Sequence, residues 1–193
     1  MKRWQARRLA RTYADLAAQR RYRDATAFFL DEVYGEKDFS ERDEEMLRIV
    51  PVMARILPAS ALETASLAIE LEALTEDLDQ RVARHLDEGD VDEASYAKAC
   101  RAASRRRERD HQVELVRAVG ERLDALVRKP LVGQALKVMG KPARLAGLSG
   151  LQDFLERGYQ AFREMDGARD FLATFERREA EVLDRIYGAP EGP

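Results

Sequence analysis

Glycine and proline are scarce in this chain, 11 and 6 of 193 residues, and what fills their place is largely Ala, Leu, Arg and Glu, a composition that favours helices. Cysteine occurs once, at Cys100, so an internal disulfide framework is excluded and a reducing, cytoplasmic setting is expected. Long apolar runs are missing. No window approaches the roughly 20 apolar residues of a membrane span. The basic start, Met1-Lys2-Arg3-Trp4-Gln5-Ala6-Arg7-Arg8, has no continuous apolar stretch behind it, so neither membrane attachment nor a secretory signal is expected. No stretch alternates with the period of two that marks a strand. Nucleophile elbows, phosphate-binding loops, dinucleotide fingerprints and zinc-ligand spacings are also absent.

Hydrophobic residues make up 45% and charged residues 36%, which excludes wholesale disorder and describes a packed core under a charged surface. With no internal repeat and no linker, residues 1–188 read as a single helical domain and 189–193 as a tail that should fray.

Start and stop signals divide the chain into helices. The first is expected from Lys2 to Gln19 and the second from Asp24 to Tyr34, with Gly35 as its left-handed cap. A third, opened by Ser40, spans Glu41 to Leu57 and should kink at Pro51. Ser60 with Glu63 forms a capping box for a long fourth helix to Leu86. Asp90 with Glu93 opens a fifth that could run to Arg128, although its Arg-rich middle lacks apolar support. The stretch 130–150, with Gly133, Gly140, Pro142, Gly147 and Gly150, reads as irregular. Two helices follow between Leu151 and Tyr187, meeting near Asp166-Gly167, with Gly188 as a cap.

The fourth helix carries Leu67, Leu71, Leu74, Leu78, Val82 and His85 on one stripe, with Leu62, Ala65, Ile69 and Ala73 almost opposite. Burial on two sides is the pattern of a central helix. The fold expected is therefore an all-α, single-domain bundle of about seven or eight helices around a long two-sided central helix.

Charge is uneven although the net is only −3. Residues 2–23 carry Lys2, Arg3, Arg7, Arg8, Arg11, Arg20, Arg21 and Arg23 against Asp15 alone, while 63–93 are strongly acidic. A basic arm for nucleic acid is one reading, and it predicts a steep salt dependence. Mutual satisfaction of acidic and basic helices is the favoured one.

One pattern has the look of metal ligation. Glu108-Arg109-Asp110-His111 is a Glu-x-x-His, which in ferritin-like bundles sets a carboxylate and an imidazole toward the bundle centre. Glu63 and Glu70, one heptad apart, border the buried stripe of the fourth helix. Together, Glu63, Glu70, Glu108 and His111 could hold iron or manganese, which makes a metal-dependent, di-iron-like helical-bundle oxidase the alternative function. The competing reading makes Glu63 a helix cap and Glu70 an arginine partner. His85 reads as a boundary histidine at a helix C-terminus, which favours its charged form. Cys100 reads as a small packing residue among alanines, and Arg105-Arg106-Arg107-Glu108-Arg109 as a solvated, partly salt-bridged girdle. Two aromatic groups, around Phe28-Phe29 and around Phe154, Tyr159 and Phe162, read as core in preference to a ligand pocket between them.

The segment FFLDEVYGEKDFSERD, Phe28 to Asp43, resembles the signature FFL-x3-YG-x2-DF-x2-RD of a family of uncharacterised proteobacterial all-helical proteins. The stretches Leu67–Leu78 and Leu151–Leu172 resemble that family as well. The resemblance implies a helical fold and no particular activity. The favoured function is accordingly non-enzymatic: binding of a protein partner, or homodimerisation through an alanine-rich or leucine-lined helix face.

Overall fold

A computed structural model describes residues 1–33, 59–87 and 89–188. Nine α-helices occur among the described residues, with no strand: α1 Lys2–Thr12, α2 Ala14–Ala18, α3 Arg23–Phe28, α4 Ala59–Ala83, α5 Glu93–Ala103, α6 Arg106–Val127, α7 Pro130–Leu145, α8 Ser149–Met165 and α9 Arg169–Tyr187. A π-helical turn, Phe29–Val33, continues α3. The expected all-α class holds. The helix expected at Glu41–Leu57, its Pro51 kink and the Gly35 cap lie outside the described residues.

Local chemistry explains most boundaries. Tyr13 interrupts the first helix only as a turn, because its N–H still reaches Leu9 and its carbonyl still receives Ala17. The fifth helix starts at Asp92, not Asp90: the Asp92 carboxylate accepts from the Ser95 N–H at 2.8 Å and the Ser95 hydroxyl accepts from the Asp92 N–H at 3.0 Å. The helix expected to run unbroken to Arg128 instead breaks at Ser104, whose backbone is extended. The Ser104 hydroxyl is spent on the Cys100 carbonyl and on Tyr187. At the other end, the Asp166 left-handed cap and Gly167 at φ 112° separate α8 from α9, and Gly188 caps α9.

The contacts divide the chain into two compact units. One comprises Ala65–Glu121 and Arg169–Pro193, together with Met1. Here α5 packs on α9, so the alanine-rich face around Ala99 and Cys100 is spent inside the unit. Leu78 and Val82 of α4 are fully buried, as are Phe171 and Leu172 of α9 to within a few per cent. Gly120 permits close packing, since a Cβ there would stand 2.5 Å from the Leu172 side chain.

The second unit comprises Lys2–Thr64 and Arg122–Ala168. Its core joins α3 to α8: Phe28 lies 5.2 Å from Phe154 between ring centroids, Phe29 lies 6.2 Å from Phe162, and Gly158 lets the Phe28 ring approach the α8 backbone. These aromatics form core. Arg21 seals the end of α8, donating to the carbonyls of Met165, Asp166 and Gly167 at 2.7, 3.0 and 3.2 Å.

Two expectations need correction. The second apolar side of α4 is not closed, because Ile69 is 40% exposed, Ala73 is exposed, and Leu62 and Ala65 are only half-buried. Periodicity says what a helix can bury, and the neighbours decide whether it does. The stretch 130–150 is also more regular than expected: α7 runs sixteen residues through Gly133, Gly140 and Pro142.

Candidate functional site

Helix α7 is apolar over most of its circumference. Its inner side, Val132, Leu136, Met139 and Ala143, lies half-buried, and Gly140 is fully buried. This side faces α8. The two glycines are there for contact: a Cβ at Gly133 would run into the Tyr159 hydroxyl, and one at Gly140 would meet Glu156 at 3.3 Å and Gln152 at 3.5 Å. Gln152 donates to the Leu136 carbonyl at 2.9 Å, while Arg144 bridges Asp153 at 2.5 Å and Glu156 at 3.3 Å. Arg144 is thereby anchored to α8.

The outer side is different. Leu131, Val138 and Leu145 are 76, 75 and 90% exposed, and with Ala135 and Pro142 they recur at steps of four, three, four and three residues. At 100° per residue these five lie within about 80° of arc, the seam that a helix shows to another helix. No charged residue interrupts it. Gln134 and Lys141 border one edge, and Met139 continues the apolar surface on the other.

The residues singled out for metal ligation are placed as follows. Glu63 accepts a hydrogen bond from Arg122 at 2.7 Å. Glu108 accepts from the Arg105 N–H at 2.7 Å, which caps α6, and from Arg81 at 2.7 Å. The Arg105 N–H and the Arg81 guanidinium hold its carboxyl below the usual glutamate range. Glu70 and His111 do come together, Oε1 to Nε2 at 3.6 Å, with Glu114 at 3.5 Å from the other ring nitrogen. All three are more than half exposed. Among the described residues, no three His, Cys, Asp or Glu side chains form a group able to hold a metal ion. His85 is exposed, its Nδ1 3.0 Å from the Arg81 carbonyl, and Cys100 is buried.

Arg109 is the residue that sequence reasoning misplaced. It is buried, not part of a solvated girdle: Nη1 donates to Gln112 at 3.0 Å and stands 3.9 Å from Asp79, and Gln112 passes the chain on to Thr75 at 2.8 Å. Its position four residues before Val113 puts it on the apolar arc of α6, a signal available in the spacing. Arg106, by contrast, behaves as expected, pairing with Asp110 and Asp184.

The whole chain, residues 1–193, matches the family model described as Domain of unknown function (DUF8198). The chain belongs to this family. No curated protein and no solved structure matches it. The family carries no assigned activity, so the site has to be read from its own geometry. Within the signature segment, Phe28 and Phe29 are core-forming, and Tyr34 to Asp43 lie outside the described residues.

Proposed function

We propose that this family member is a cytoplasmic interaction module that pairs with a second copy of itself through the outer face of α7. One observation carries the reading: the exposed seam of Leu131, Ala135, Val138, Pro142 and Leu145. Solvating three large aliphatic side chains in one row is unfavourable, by about 1.5 to 3 kcal/mol for each relative to burial. A seam free of charge is self-complementary, as a two-fold interface requires. In an antiparallel pair, Lys141 of one copy sits beside Gln134 of the other instead of facing a second lysine. The alanine-rich alternative on α5 has less support, because that face already packs on α9.

The contact area of one helix pair predicts micromolar, not nanomolar, self-association. Size-exclusion chromatography with light scattering from about 1 to 100 μM protein tests it. A dimer forming within that range is expected, and Val138→Lys with Leu145→Lys should return it to monomer while helicity is kept. A native chain that stays monomeric at the top of the range overturns the reading.

A further inference from the structure

The polar side of α7 borders a cleft of about 530 Å³, a size that suits a small organic ligand. The cleft lies within one unit, between the end of α6, α7 and the C-terminal turns of α8. Tyr159, half-buried, supplies aromatic surface on one side. Gly133 lets the Tyr159 hydroxyl approach the α7 backbone, where any larger residue would displace the ring. The aromatic wall therefore depends on a glycine.

The charged groups are not equivalent. Asp124 is committed, accepting from Arg128 at 3.2 Å and from the Ala168 N–H at 3.2 Å. Lys137 and Arg163 make no ion pair or side-chain hydrogen bond among the described residues. Asp166 is the one carboxylate in the lining that stands against them, and the Arg21 guanidinium donates to its backbone carbonyl and to that of Gly167. With Arg128 and Asp124 offsetting each other, the lining holds two available cations and one available carboxylate, beside the Tyr159 ring.

We infer that this cleft is a binding site for a small organic anion with a flat apolar body, whose carboxylate or phosphate meets Lys137 and Arg163 while its ring lies against Tyr159. The site adjoins the α7 seam without overlapping it: Gln134 edges both, but none of the five seam residues lines the cleft. The two polar partners are flexible and exposed, so the ligand brings their order with it, and affinity should weaken as salt rises.

Calorimetric titration of the full chain with 1-naphthyl phosphate, 1-naphthoate, 1-naphthol and inorganic phosphate tests this. Saturable one-to-one binding of either naphthyl anion is expected. The neutral naphthol and the bare phosphate should each bind at least about tenfold more weakly, because each lacks one half of the match. Lys137→Ala with Arg163→Ala, both surface changes that leave the core intact, should cost about tenfold or more in anion affinity. The two anions separate the carboxylate source from the phosphate source. Val138→Gln with Leu145→Gln controls for probe adsorbed on the seam and should leave affinity unchanged. No saturable binding of either anion, full affinity in the Lys137/Arg163 double variant, or loss of affinity in the seam variant would each overturn the assignment.

Discussion

Glu108 and Arg109 are neighbours in sequence with opposite fates, one partly exposed at the start of α6 and the other buried. Glu108 closes the N-terminus of α6 by accepting the Arg105 N–H, then takes Arg81 on its other oxygen. Its ordinary value near 4.5 is lowered by that N–H first and by the guanidinium second. A carboxyl whose folded value lies below its unfolded one contributes stability at neutral pH, and the contribution is lost as pH falls through the depressed value. Glu108→Gln is therefore expected to cost about 1 kcal/mol at pH 7, a modest figure because the pair is partly solvated. Urea unfolding at pH 7, 5 and 3 should show the gap between variant and native narrowing with acidity. A gap that stays constant down to pH 3 would mean the carboxylate charge plays no part.

At the scale of the element, α7 shows how glycine and proline can sit in a helix without ending it. Pro130 starts it, where a missing N–H costs nothing, and Gly133 and Gly140 exchange propensity for close contact with α8. Pro142 has no such contact reason, being exposed and depriving the Val138 carbonyl of its donor four residues on. Pro142→Ala is expected to raise stability by about 1 to 3 kcal/mol and to increase helicity slightly. Thermal melts followed by circular dichroism measure both, and a lowered midpoint would show that the proline shapes the helix in a way its exposure hides.

For the whole molecule, the consequence of a self-pairing seam is a stability that depends on concentration. A native dimer is favoured over unfolded monomers by mass action, so the unfolding midpoint should rise with protein concentration across the range of association. Val138→Lys with Leu145→Lys should remove that dependence. Calorimetric scans at three concentrations suffice, and a midpoint that ignores concentration in the native chain would count against dimerisation as the working state.

Helix class, the Leu78 and Val82 core positions, the Asp166-Gly167 junction and the Gly188 cap were all legible in the amino-acid order. Each follows from hydrogen bonds and periodicities that close within a few residues. The same local logic failed where a partner distant in the chain made the decision. It put Arg109 in solvent and read 130–150 as irregular, because Asp79 lies thirty residues from Arg109, and Tyr159, Gln152 and Glu156 lie on another helix from Gly133 and Gly140. Nor could it say which of several apolar faces would find a neighbour. The second side of α4 read as buryable and is partly exposed, because burial is a property of what packs against a face, which only the tertiary arrangement supplies.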